Sequence, residues 1–206
     1  MKIGSVLLLV SASILVIMGG GLLYKGFSAI AETESQTEES LEEAYQNITK
    51  NTGKEPSYEA DQISPKIPSF QIGESIGILQ LPSIDGELPI IEGTDEDELE
   101  KGVGHFSSTV LPGQGDQILL SGHRDTVFRR LGDVQIGDLV HVVMPYGKYT
   151  YKMNKSYIVD ADDTTVIRST APEELLTIST CYPFSFIGDA PDRYILEAEL
   201  IEVNQF

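Results

Sequence analysis

Leu175-Leu176-Thr177-Ile178-Ser179-Thr180-Cys181-Tyr182-Pro183 is rich in β-branched and apolar residues and ends on a proline. It reads as a β-strand that stops at Pro183, because proline cannot donate a ladder hydrogen bond. Side chains alternate across a strand. Leu176, Ile178 and Thr180 therefore share one face, and Leu175, Thr177, Ser179 and Cys181 share the other. Cys181, the only cysteine in the chain, stands at the C-terminal end of this strand, where a side chain is held rigidly beside a cleft.

The same texture extends on both sides. From about Ser69 the chain alternates short β-like runs with Gly, Pro and Asp. The expected strands are 76–81, 88–91, 117–121, 139–144, 149–153, 157–160, 175–181 and 194–203, with a turn signal at Tyr146-Gly147. Thr94 is placed to cap a short helix over 95–99. This spacing predicts a mainly β domain, a barrel or a sandwich, over residues 69–206. A length of that order is one ordinary domain with a sizeable core.

Upstream, Ile3 to Tyr24 is almost wholly apolar. As a helix, about 22 residues reach roughly 33 Å, enough for the core of a bilayer. Residues 1–25 are thus expected to be a cytoplasmic end and a transmembrane anchor, with the β domain outside the cell. The alternative is a cleaved signal peptide ending near Ala29-Ile30-Ala31. Residues 26–68 are acidic and poor in large apolar groups, and are expected to be a flexible linker. Leu41, Tyr45 and Ile48 form one thin helical stripe there, and an isolated helix so short is marginal in water. Asn47-Ile48-Thr49 matches a glycosylation triplet, a pattern common by chance.

Composition narrows the function. With 14 basic and 32 acidic side chains the formal charge is −18, which repels phosphate backbones and disfavours nucleic acid as a partner. Thiolate metal cages need more than one cysteine, and the three histidines lack helix spacing, so no metal and no cofactor is expected. Exported proteins pair their cysteines or discard them, so a single one is flagged as a reactive thiol.

His123 follows the apolar run Ile118-Leu119-Leu120 at a strand end and is a candidate proton carrier. His105 lies in a Gly-rich turn and is its rival, and His141 alternates with Val140 and Val142 on a strand. Arg193 opens the last strand. If that strand runs antiparallel to the one ending in Cys181, Arg193 comes beside the thiol. It stays protonated, so its role is to bind an oxyanion or a substrate carbonyl. The competing reading of Arg193 is a surface ion pair with Asp192.

Three separated segments carry a resemblance: Leu120-Ser121-Gly122-His123-Arg124-Asp125-Thr126-Val127-Phe128, Thr177 to Phe184, and Ala190-Pro191-Asp192-Arg193-Tyr194. Together with Gly104-His105-Phe106 and Leu111-Pro112-Gly113, they make the chain similar to the sortases, most closely those of class D from Gram-positive bacteria. The resemblance covers about Ile76 to Val203. It implies a closed eight-stranded β barrel behind an N-terminal membrane anchor. It implies a cysteine transpeptidase that cuts a Leu-Pro-x-Thr type signal of a surface protein after Thr and joins the acyl group to an amine of the peptidoglycan precursor. By that likeness Cys181 is the nucleophile, His123 the general acid and then base, and Arg193 the oxyanion or substrate ligand. His105 is then structural. Thr180, Tyr182, Phe184 and Ile187 are the expected substrate contacts, the aromatics either shielding the thioacyl group from water or serving as ordinary core or barrel-rim packing. Two other readings compete: a cysteine transpeptidase acting on peptidoglycan itself, and an anchored β-barrel binding module with an inert thiol.

Overall fold

The computed structural model describes residues 3–52, 67–185, 188 and 190–206. The chain forms two compact units, Met1–Gln36 and Thr37–Phe206. A helix, α1 (Ile3–Thr52), runs through the first and into the second. In the first unit Ile14, Leu15, Val16, Ile17 and Met18 are all exposed. Among the described residues no helix is long and apolar enough to cross a membrane. Of the apolar run expected to do so, the side chains of residues 3–13 and 22 lie outside the described ones.

In the second unit eight strands close into a barrel. They are β1 (Ser75–Leu81), β2 (Gly86–Glu92), β3 (Val103–His105), β4 (Gln117–Gly122), β5 (Leu139–Met144), β6 (Gly147–Asp160), β7 (Leu175–Tyr182) and β8 (Asp192–Gln205). The order around the barrel is β1-β2-β3-β4-β7-β8-β6-β5. Pairing is antiparallel except between β2 and β3 and between β4 and β7. Inward side chains, among them Ile118, Leu120, Leu176, Ile178, Leu196, Ala198, Phe128 and Tyr151, fill the interior. The closed mainly β architecture agrees with the sequence reading.

Local differences have physical causes. The expected strands 149–153 and 157–160 are one strand, β6. The polar gap Asn154-Lys155-Ser156 is an exposed stretch where the register with β8 shifts. Strand β3 has only three residues, one of them glycine, too few to show alternation. The short helix α2 (Glu96–Leu99) is capped by Asp95 rather than Thr94, in a capping box with Glu98.

The larger difference is upstream. Residues 37–52 of the expected flexible linker are helix, and that helix belongs to the barrel unit. Ala44 and Ile48, with Leu41 beside them, pack on Ile78 of β1 and Val143 of β5. The Ser75 hydroxyl donates to the Ser40 carbonyl at 2.7 Å, and the Asn47 amide donates to the Ser75 carbonyl at 3.1 Å. The stripe that is too thin to hold a helix alone is sufficient once it is buried on an apolar sheet face. Asn47, of the glycosylation triplet, is part of this contact. Residues 53–66 lie outside the described ones.

Candidate active site

The site is set by register. β7 and β8 pair so that Cys181 faces Arg193, and β8 and β6 pair so that Arg193 faces Val159. On the other side of β7, the parallel ladder with β4 ends at Gly122 opposite Thr180. His123 is the next residue, so the backbone carries it level with Cys181. His123, Cys181 and Arg193 therefore stand in one row at the ends of three adjoining strands, each step about 5 Å across the sheet. Alternation puts this row on the outer face, because Thr180, Tyr194 and Gly122 of the preceding or following row turn to the barrel interior or its rim.

Two features fix the row. The Thr180 side chain is buried, and its hydroxyl donates to the Gly122 carbonyl at 2.7 Å. At Gly122 itself a Cβ would stand 2.7 Å from both Phe128 and Val127, so only glycine lets the turn after β4 fold down on the strand. Phe128, fully buried, returns a backbone hydrogen bond to the His123 carbonyl at 3.0 Å. Arg124 donates to the Gly188 carbonyl at 2.8 Å, tying the histidine turn to the loop between β7 and β8.

Cys181 is half-buried. The His123 ring is 30% exposed, and its Nε2 lies 3.9 Å from a carboxylate oxygen of Glu96 on α2. Arg193 donates through Nη1 to the carbonyls of Asp192 at 3.0 Å and Ala190 at 3.3 Å. Its partner at Asp192 is the backbone, not the carboxylate, so the surface ion pair with Asp192 is not formed. Among the described residues Nε and Nη2 of Arg193 have no partner, which leaves two donors for an oxyanion or carbonyl.

Below the row, on the same outer face, a cavity of about 210 Å³ is lined by Ser121, Ser179, Ile195, Phe106, Val166 and Ile167, with Arg193 at its end. The last two come from the connection between β6 and β7. That connection is pinned to the sheet by Gln117, whose amide donates to the Val166 carbonyl at 2.8 Å and accepts from the Arg168 backbone at 2.8 Å. Asp116 accepts from the backbone of Thr170, Gln117 and Ala171, and these bonds hold its carboxyl below the ordinary range. Sequence reasoning missed these lining residues. A signal was present: Ile118-Leu119-Leu120 is apolar on both faces, which marks an outer face that something covers.

The other expected contacts are placed elsewhere. Thr180 faces inward. Tyr182 and Phe184 pack with Tyr194 at the barrel rim, ring centroids 5.4 to 6.5 Å apart, and line a separate cleft. Ile187 lies outside the described residues.

The rival His105 is 2% exposed on β3. Its Nδ1 meets the Glu92 carboxylate at 2.7 Å and its Nε2 meets the Val110 carbonyl at 3.1 Å. Both ring nitrogens are engaged inside the structure, away from the cysteine row. His141 points outward from β5 and meets the Thr150 hydroxyl at 3.0 Å, and burial pushes its pKa down.

A row of histidine, cysteine and arginine at three adjoining strand ends of a closed eight-stranded barrel brings together a thiol, a proton carrier and a fixed cation, the groups that thiol acyl transfer needs. Residues 79–201 match the family model described as "Sortase domain". The Bacillus subtilis protein named Sortase D is 44% identical over 186 residues, 88% of this chain and 94% of that one. A solved catalytic domain of Bacillus anthracis SrtD has a TM-score of 0.57 at 40% identity, over 71% of this chain and 99% of that one. A Clostridium perfringens Sortase D5 transpeptidase has a TM-score of 0.60 at 25% identity, over 85% and 99%. The chain belongs to the sortase family, whose members are cysteine transpeptidases.

Proposed function

We propose that this sortase is held in the membrane by residues 1–25, with its barrel outside the cell. It cleaves a Leu-Pro-x-Thr type signal after Thr through a thioacyl-enzyme on Cys181, and passes the acyl group to an amine of the cell-wall precursor. The observation that carries the reading is the row His123, Cys181, Arg193. The exposed apolar run Ile14 to Met18 supports the anchor, because a bilayer is what covers such a surface.

In this reading the signal peptide lies in the 210 Å³ cavity below the row, its apolar residues against Phe106, Val166, Ile167 and Ile195. Cys181 Sγ attacks the Thr carbonyl carbon. The developing oxyanion is met by the two open guanidinium donors of Arg193, and His123 protonates the departing amine. Thr180 acts beneath the substrate, by holding the ends of β4 and β7 together.

The test incubates the full chain in detergent micelles with Leu-Pro-x-Thr peptides and an amine, and reads masses of the intact protein and the products. A thioacyl adduct that is absent from Cys181→Ala, with a Thr–amine product, is the expected result. A product made equally by Cys181→Ala would sink the reading.

A further inference from the structure

The outer face that carries Cys181 is open at one end and covered at the other. Register sets three levels along it: Cys181 opposite Arg193, Ser179 opposite Ile195, and Thr177 opposite Glu197. Cys181 and Ser179 are half-buried, whereas Thr177 and Glu197 are 0% and 5% exposed. The connection between β6 and β7 covers this third level. Its Arg168 donates through Nη2 to the Glu197 carboxylate at 2.9 Å, and the same oxygen accepts from the Tyr157 hydroxyl at 2.7 Å. Through Nη1 the guanidinium also reaches the Val166 carbonyl at 3.4 Å. The pair parts two spaces. On the cysteine side lies the 210 Å³ groove walled by Val166 and Ile167. Beyond it lies a cavity of about 1060 Å³, lined by Arg168 and Glu197 themselves and by Glu174 and Glu199.

We propose that the Arg168–Glu197 pair is the end wall of the donor groove and determines which residue a signal peptide can carry at its first position. The proposal rests on the transpeptidase reading above and deepens it. Length decides which residue meets the wall. Four residues along β8, from Arg193 to Glu197, span about 13 Å, and so do the four residues of an extended Leu-Pro-x-Thr segment. With the Thr carbonyl at Cys181, the Leu end of the segment reaches the level of Thr177 and Glu197. There an aliphatic side chain packs on Ile195, Val166 and Ile167 and stops at the ion pair. A longer side chain would have to part Arg168 from Glu197, which strands a buried carboxylate. A cationic one is repelled by the guanidinium as well. Without Arg168 the groove would open toward the larger, acidic cavity, and Glu197 would be free to receive a cation.

The test uses the full chain in detergent micelles with an amine acceptor and two peptides in one tube, Leu-Pro-x-Thr and Lys-Pro-x-Thr, otherwise identical. The ratio of the two products, read by mass, is the ratio of their kcat/KM values, so it does not depend on how much enzyme is folded. The wild type is expected to favour Leu by at least about tenfold. Arg168→Ala is expected to shift the ratio toward Lys by about tenfold or more, and Glu197→Gln added to it to reverse most of that gain. Arg168→Met keeps the stem's packing should Arg168→Ala not fold, and is expected to shift the ratio in the same direction. A gain for a cationic peptide is not something general damage to the fold produces. A ratio in the Arg168 variants equal to that of the wild type, or a gain that Glu197→Gln leaves intact, overturns the assignment. A wild type that forms no thioacyl-enzyme with the Leu peptide overturns the transpeptidase reading itself.

Discussion

The Thr180 hydroxyl and the Gly122 carbonyl meet at 2.7 Å across the parallel ladder of β4 and β7, one residue short of both Cys181 and His123. The bond is buried and closes the last register position before the two strands part. It is therefore the point that sets the spacing of Cys181 and His123, the nucleophile and proton carrier of the proposed reaction. Thr180→Val keeps the shape and removes the donor. A buried carbonyl left unpaired costs about 1–3 kcal/mol, and a shift of about 1 Å between reacting groups is worth up to roughly 10²-fold in rate. Thr180→Val is expected to lower kcat by about 10- to 100-fold with a small change in KM for the signal peptide. Thr180→Ser, which restores the donor, recovers most of the activity. Steady-state kinetics of the pair decides the matter, and equal loss in both would remove the clamp from the account.

Among the described residues two guanidinium nitrogens of Arg193, beside Cys181, have no partner, and the third is held by two backbone carbonyls. A lysine carries the charge but cannot be oriented by those carbonyls and still offer a planar pair of donors. Arg193→Ala is expected to slow thioacyl formation by about 10²-fold, as for a lost oxyanion donor. Arg193→Lys recovers less than a tenth of that loss. Full activity in Arg193→Lys, measured by the burst of amine release, would show that only charge is needed.

His105 and Glu92 form a buried pair between β3 and the end of β2. Burial alone would raise the Glu92 carboxyl; hydrogen bonds from His105 and Ser107, and the charge of His105, outweigh it and hold the pKa below the ordinary value of 4.5. A carboxyl lowered by folding contributes stability that is complete above its unfolded pKa and is lost as pH falls through the folded one. The native barrel is therefore expected to lose stability below about pH 4.5, and Glu92→Gln to flatten that limb while costing about 1–3 kcal/mol near neutrality. Urea unfolding between pH 3 and pH 7 checks both parts. His105→Ala is expected to lower Tm more than it lowers the kcat of the protein that remains folded, whereas His123→Ala abolishes turnover and leaves Tm nearly unchanged.

Much of this was legible in the chain, for reasons that differ by residue. Leu175 to Cys181 shows its strand by alternation, and with it the face on which the thiol stands. Arg193 opposite Cys181 follows once β7 and β8 run antiparallel across one loop. The level placement of His123 depends on a parallel ladder between strands more than 50 residues apart, and no local pattern encodes that register. The inward placement of Thr180 and the rim packing of Tyr182 were hidden for the same reason. Both follow from which face turns inward at the barrel rim, and that is decided by closure rather than by the strand itself. The groove wall at Val166 and Ile167 sits in an irregular connection, whose position is set by Gln117 and Asp116 on a distant strand.

The helix over 37–52 tests how far tertiary contact overrides local weakness. Ala44 is fully buried against Ile78, and the contact is small: Leu41, Ala44 and Ile48 on Ile78 and Val143. Around it stand the Asn47 and Ser75 bonds, and Tyr45, whose hydroxyl donates to Glu87 and whose pKa that carboxylate helps raise to about 12. Ala44→Asp places a carboxylate in the apolar contact. Detaching this last part of α1 exposes its apolar stripe to water, so Leu41, Ala44 and Ile48 lose their contact together. The expected cost is about 2–4 kcal/mol, or roughly 5–15 °C in Tm for a domain of this size. Tyr45→Phe, which removes one exposed hydrogen bond, is expected to cost no more than about 1 kcal/mol. Hydrogen exchange reads the consequence directly: amides of residues 41–49 are protected in the wild type and in Tyr45→Phe, and lose protection in Ala44→Asp. Amides in 41–49 that exchange at the unprotected rate in the wild type would return this segment to the coil its composition suggests.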